Sequence, residues 1–196
     1  VGSPQIRNMG TIGGNVCNGV TSADSAPSLM DLNAVLEVQG PSGKRLIPIG
    51  EWYAGPGKTV RQHDEVLTAV RIARENYEGF GGHYIKYGKR EAMEISTLGC
   101  AVQVKLSADK RAIEDLRIAF GVAAPTPVRC PKTEAMALGR TVDEALVREL
   151  GQSVLTEINP RDSWRASKSF RLQIAKEICR RAFRQAVAFA GGEIHA

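Results

Sequence analysis

The sequence predicts an α+β protein: an antiparallel sheet unit, then a hairpin unit packed with C-terminal helices. Two observations carry that expectation. Runs rich in β-formers, bounded by Gly, Pro, Ser and Asp, recur at residues 35–39, 44–49, 65–72, 84–87, 96–106 and 113–122. After residue 130 the pattern changes to apolar stripes at i, i+4, first Leu146, Leu150, Val154 and Ile158, then Phe170, Ile174, Ile178, Ala182, Ala186 and Ala190. The chain has 196 residues, 43% hydrophobic and 24% charged, enough for a real core in one large domain or two small ones.

Taken in order, the first notable stretch is Thr11-Ile12-Gly13-Gly14-Asn15, followed by Asp24-Ser25-Ala26-Pro27. Paired glycines let a backbone bend sharply and approach a ligand without a Cβ in the way. Successive N–H groups in such a turn form an anion site, to which Thr11 adds a hydroxyl and Asn15 an amide. On residue types alone the stretch is either a plain bend or a phosphate cradle. Asp24 or Ser25 is placed to cap a short helix through residues 28–32, with Pro27 in its first turn.

Residues 35–39 and 44–49 form a hairpin across Gly40-Pro41-Ser42-Gly43. Residues 51–58 are expected to be a loop, with Trp52 and Tyr53 as core. In 65–72, strict alternation places residues 66, 70 and 72 on one face and Leu67 and Ala69 on the other. Lys86 falls in a strand, ahead of a charged loop from Gly88. Residues 96–106 and 113–122 pair as a hairpin, and the Pro-rich connector 123–129 cannot continue a central strand. A helix over 132–138 stops at Gly139, and Thr141-Val142-Asp143-Glu144 reads as a capping box with Thr141 as the cap. The last helix starts near Ser167, with Arg171, Lys176, Arg180 and Arg184 on its polar face, and closes at Gly191-Gly192.

Composition removes several classes of function. The formal charge is +5, but the basic residues are interspersed with acids or lie along the last helix, and no nucleic-acid-binding motif accompanies them. No apolar run has membrane-spanning length and no signal peptide is present, so neither a nucleic acid nor a membrane is an expected partner. Cys17, Cys100, Cys130 and Cys179 show no ligand spacing, and His63, His83 and His195 are dispersed, so no metal site is expected here. Such cysteines fit buried thiols in a reducing, cytoplasmic setting. There is no nucleophile–base pair and no paired carboxylates, so no catalytic side chain is named.

The run from Ile6 to Asn15, followed by Ala23 to Pro27, resembles the flavin domain of the xanthine dehydrogenase family of molybdenum hydroxylases, and the likeness extends over nearly the whole chain. It is most similar to the separate FAD-binding subunits of that family. The resemblance implies that residues 1–90 form the second part of an FAD-binding domain and residues 91–196 a C-terminal flavoprotein domain. It implies that Thr11, Ile12, Gly13, Gly14 and Asn15 hold the FAD pyrophosphate, and that Asp24, Leu67 and Lys86 also contact FAD. It further implies molybdopterin and 2Fe-2S clusters on two partner subunits, with NAD accepting the electrons. An ammonium at Lys86 would hydrogen-bond flavin oxygens or phosphate and favour the charge of a reduced flavin. The family also has an earlier glycine loop that grips FAD; this sequence starts after it, so a missing N-terminal segment is an expected partner. Acidic residues common in the family's flavin loop are replaced by Ala92 and Met93, which argues against that loop selecting between acceptors. Two alternatives remain at this point: another reductase with the same type of FAD domain, such as a UDP-N-acetylenolpyruvoylglucosamine reductase, or a binding module that has lost its cofactor.

Overall fold

The computed structural model describes residues 1–195. Three short helices lead the chain: α1 (Pro4–Met9), α2 (Ile12–Cys17) and α3 (Ser25–Asp31). Next come β1 (Val35–Gly40) and β2 (Gly43–Pro48), an antiparallel hairpin, then the two-stranded β3 (Tyr53–Gly55) and β4 (Lys58–Thr59), and β5 (Val66–Arg71). β1 is the central strand of the order β2-β1-β5, with Leu36 and Val38 fully buried on its inner face. Burying one such side chain is worth roughly 1.5–3 kcal/mol. Trp52 is also fully buried, and its indole Nε1 donates to the Val16 carbonyl at 3.1 Å, tying the β2–β3 connection to α2.

The structure departs from the expected reading at two places in this unit. Residues 51–58, expected as a loop, contain β3 and part of β4. In β5, Ala69 pairs with Glu37 and Leu67 with Val38, so Thr68 is an extra residue in a bulge. A bulge shifts the alternation by one. Leu67 and Val70 therefore both pack on the first core, while Val66 is 66% exposed.

The second sheet has the order β6-β7-β8-β9, all antiparallel, from β6 (Phe80–Tyr87), β7 (Leu98–Leu106), β8 (Ile113–Gly121) and β9 (Val128–Arg129). The Pro-rich connector leads into β9 at the sheet edge, where missing ladder donors cost nothing. Three helices follow: α4 (Pro131–Ala137), α5 (Glu144–Ser153) and α6 (Lys168–Phe189). α6 crosses β6 and β7 closely: a Cβ on Gly81 would lie 2.1 Å from the Ala186 carbonyl oxygen. Ile174, Ile178, Ala182 and Ala186 from α6 join Leu146, Leu150, Val154 and Ile158 in the second core.

Two expectations about the helical half need correction. The cap of α5 is Asp143, whose carboxylate accepts from Leu146 N at 2.7 Å; Glu144 does not reach back but pairs with Arg184. Arg171 is not on the polar face but 2% exposed. It stands at i, i+3 and i+7 with Ile174 and Ile178, the spacing of one helical face.

α3 joins the two sheets. Leu29 and Met30 enter the first core, while the helix lies on β7 and β8 of the second sheet. Arg117 donates to the Asp31 carbonyl at 3.1 Å and Arg129 to the Met30 carbonyl at 3.0 Å, satisfying the orphan carbonyls of the helix end. The Asp31 side chain is 1% exposed, and neither carboxylate oxygen has a partner. Burial pushes its carboxyl well above the usual range, against the opposing pull of Arg129.

Candidate functional site

The glycine stretch is not the turn its residues predict. Thr11, with extended backbone, caps α2, its Oγ1 accepting from Gly14 N at 2.9 Å, and Gly13 and Gly14 lie in the first helical turn. Neither glycine has a positive φ, so backbone conformation does not require them. Packing does not require Gly13 either: an added Cβ would meet only Leu67 Cδ2, at 3.7 Å. At Gly14 the added Cβ would lie 3.1 Å from the Thr11 hydroxyl, crowding the cap. Thr11, Ile12 and Gly14 are exposed and Gly13 half-buried. A helix start leaves N–H groups without intrahelical acceptors, and here glycine leaves them uncovered by side chains.

The remaining expected residues fall into two contacts. Leu67 comes from β5 to lie beside Gly13, because the Thr68 bulge turns it inward. Asn15, on α2, accepts from Ser25 N at 3.4 Å and from Ser25 Oγ at 2.5 Å. This holds the start of α3, and with it Asp24, against α2. Asp24 sits at the cap position of α3 but makes no capping bond. Its carboxylate instead accepts from Lys86 Nζ at 2.7 Å, from the Ser96 hydroxyl, and from the Tyr84 hydroxyl at 3.4 Å. Its side chain is 8% exposed and that of Lys86 26%, so this ion pair is shielded from water on one side.

Lys86 also donates to the Glu94 carbonyl at 2.6 Å. Two of the three ammonium protons are thus engaged, leaving one N–H for an acceptor on a ligand. With Asp24 beside it, Lys86 offers a hydrogen bond more than an uncompensated charge. The structure adds Ser25, Tyr84 and Ser96 to the site; nothing in their local sequence marks them, since each is placed by a contact between distant segments. Burial, reinforced by Asp24, raises the Tyr84 hydroxyl pKa, so Tyr84 stays a neutral donor.

Thr11 to Gly14 with Leu67 form an exposed, glycine-smoothed ledge, and Asn15, Ser25, Asp24 and Lys86 form a polar cluster joined to it through α2. This arrangement fits the pyrophosphate and polar chain of a dinucleotide such as FAD: unshadowed N–H groups for phosphate, an apolar wall, and a lysine donor with a spare proton. Among the described residues no His, Cys, Asp or Glu cluster could hold a metal ion, and no helix is long and apolar enough to cross a membrane.

Comparisons with known proteins bear on both halves. Residues 1–74 match the FAD binding domain in molybdopterin dehydrogenase, and residues 83–186 match the CO dehydrogenase flavoprotein C-terminal domain. The chain is 44% identical over 194 residues to the xanthine dehydrogenase FAD-binding subunit of Escherichia coli O157:H7, covering 99% of this chain and 66% of that protein. It is 29% identical over 185 residues to the glyceraldehyde dehydrogenase medium chain of Sulfolobus acidocaldarius, covering 94% of this chain and 64% of that one. Among solved structures, carbon monoxide dehydrogenase from Hydrogenophaga pseudoflava superposes with a TM-score of 0.89 at 27% identity, over 96% of this chain and 64% of that chain. The chain therefore spans a little under two thirds of the length of these relatives.

Proposed function

The chain belongs to the molybdenum-hydroxylase flavoprotein family, and from that membership we propose that it binds FAD as the flavin component of an enzyme resembling xanthine dehydrogenase. The observation that carries this reading is the Gly13 position: no backbone strain and no neighbouring atom of the protein requires a glycine, and it lies within the region matching an FAD-binding domain. A ligand that approaches the backbone there supplies the missing reason.

When bound, FAD supplies the two-electron chemistry between iron–sulfur clusters and NAD. The chain's own residues bind and orient. Thr11 fixes the helix start, leaving the backbone N–H groups of Ile12 and Gly13 for phosphate oxygens. Asn15 locks α3 through Ser25 so that Asp24 holds Lys86, and Lys86 directs its remaining proton to an acceptor on the cofactor. Leu67 closes the apolar side. A molybdopterin subunit and an iron–sulfur subunit complete the proposal, supported by the name of the 44%-identical relative and by the family, and NAD as acceptor is proposed from the likeness to xanthine dehydrogenase alone.

The test is the absorbance of the purified native assembly together with a Gly13→Val variant. Flavin bands beside iron–sulfur bands are expected, with flavin content falling several-fold in the variant while the circular dichroism is unchanged. Full flavin content in Gly13→Val would overturn the placement of the cofactor on α2. NADH formation on adding substrate tests the acceptor separately.

A further inference from the structure

α5 and α6 carry seven basic residues against three acidic ones, an excess of four in a chain whose formal charge is +5. The surplus charge is thus gathered on two packed helices. α6 covers the face of the second sheet that Gly81 presents, while Tyr84 and Lys86 reach Asp24 from the opposite face. The acids on these helices are already engaged. Glu177 pairs with Arg181, Glu149 with Arg140, and Glu144 accepts from both terminal nitrogens of Arg184. Arg148 and Arg180 also act on Glu144, so one carboxylate stands among three guanidinium groups. Among the described residues, Arg148, Lys176 and Arg180 are left without a hydrogen-bonded carboxylate.

Arg180 is built into the crossing of the two helices. At Gly151 an added Cβ would lie 2.7 Å from Arg180 Nε, 3.0 Å from its Cγ and 2.9 Å from the Lys176 carbonyl oxygen. The side chain that α5 lacks is therefore the slot in which the Arg180 stem lies. The buried Nε has no partner, a cost that packing of the stem offsets but does not explain. The helix repeat places Lys176, Arg180 and Arg184 in one row, about 6 Å apart along the axis. Of these three only Arg184 holds a carboxylate.

We infer that the α5–α6 face docks an acidic segment of a partner protein, with Arg180 as the fixed anchor and Arg148 and Lys176 beside it. An arginine fork takes a carboxylate in a paired, charge-assisted contact, and a stem already held by packing loses little freedom on binding. Two features of the face select this partner. Glu149 and Glu177 stand on the same helices, so a uniform polyanion such as a nucleic-acid backbone meets repulsion beside the cations, whereas a protein surface presents carboxylates at chosen points. The exposed large apolar residues of the two helices are Phe170 and Phe189, one at each end of α6, so the face between them lacks the apolar side that a membrane-bound helix needs. The inference does not depend on the FAD reading.

The experiment measures binding of rhodamine-labelled hexaglutamate to the isolated full chain by fluorescence anisotropy at low salt, with FAD in excess. Saturable binding is expected, weakening as salt is added. Affinity should fall roughly 10-fold in Arg148→Gln/Lys176→Gln/Arg180→Gln, the loss of three partly exposed pairs together. Lys58→Gln/Arg111→Gln/Lys132→Gln removes the same charge from exposed positions elsewhere and should change the affinity by less than about 2-fold. Arg180→Met keeps the stem in its slot and removes the unpartnered nitrogen, so its melting temperature should equal or exceed that of the parent. Four results overturn the proposal. They are no saturable binding; equal loss in the two triple variants, which is attraction by net charge alone; a lower melting temperature in Arg180→Met, which shows that Arg180 has its partner within the protein; and tighter binding of hexadeoxythymidylate than of hexaglutamate through the same residues, which makes this a nucleic-acid face. A failure of the FAD reading appears elsewhere, in the flavin content of Gly13→Val.

Discussion

At the scale of single residues, two glycines that look equivalent in sequence do different work. Gly14 cannot test ligand binding cleanly, because a side chain there presses on the Thr11 hydroxyl that caps α2. Gly13 can, since the nearest protein atom leaves ordinary van der Waals room. Gly13→Val should therefore lose flavin with little loss of stability, and Gly14→Val should lose both; parallel flavin content and melting temperatures check the distinction. Asp31 gives a second residue-level prediction. Its folded-state pKa is raised by burial, so folding is favoured most below the unfolded value of about 3.9 and becomes less favourable as pH rises above it. Asp31→Asn, which keeps the shape and removes the ionisation, should raise the melting temperature at pH 8 and leave it nearly unchanged near pH 4. A variant less stable than the parent at pH 8 would show that the carboxylate has a partner after all.

Among elements, those built from local periodicity were legible and those built by contacts between segments were not. The stripe over 170–190 forecasts α6, although its first residue, Phe170, is 43% exposed. The stripe over 146–158 packs into the second core, but α5 ends at Ser153, Val154–Thr156 is a 3-10 turn and Ile158 lies beyond it. The hairpin of β7 and β8 follows from two β-rich runs flanking a polar turn. Thr11 to Gly14 was misread as a turn because paired glycines resemble a bend; a capping threonine three residues before the N–H it serves was the signal for a helix. Arg171 was misread because a long arginine was assigned to the polar face by type, although its spacing to Ile174 and Ile178 placed it inside. The Thr68 bulge had no local mark, and it decides where Leu67 points. Capping was misplaced by two residues at α5, since Thr141 and Asp143 both have capping side chains and only the fold shows which is at the boundary. Asp143→Ala should cost about 1 kcal/mol of stability by removing the bond to Leu146 N. Thr141→Val should cost distinctly less; chemical denaturation of both variants decides, and equal losses would restore Thr141 as a cap.

At the scale of the molecule, the two sheets respond differently to acid. In the first, Glu37 is held at about 2, mainly by its hydrogen bond from Arg71 and then by Lys44. Glu65 is likewise held at about 2, mainly by its bond from Arg45 and then by the Gln62 backbone N–H. Glu37 links β1 to both neighbouring strands, and Glu65 anchors Arg45 of β2 beside the entry to β5. Both folded values lie below the ordinary glutamate value of about 4.3. The stability they contribute is thus fully present above that value and is lost as pH falls towards about 2. The second sheet is held by α4, α5 and α6 over an apolar core; the ion pairs of Arg140, Arg181 and Arg184 on its helices lie at the surface, and the one largely buried pair is Arg129–Glu134 at α4. Acid should accordingly loosen the first unit before the second. Trp52 lies in the first core and Trp164 is already exposed, so the red shift of tryptophan emission on acidification follows the first unit, while far-ultraviolet dichroism weighs the helices of the second. The emission change is expected at a higher pH than the dichroism change, with both above pH 2. In Glu37→Gln/Glu65→Gln the first unit should be less stable at neutral pH and its emission should depend much less on pH between about 4.3 and 2. Coincident transitions in the parent, with the same acid midpoint in the double variant, would show instead that the two sheets unfold as one unit and that α3, clamped by Arg117 and Arg129, couples them more strongly than these carboxylates divide them.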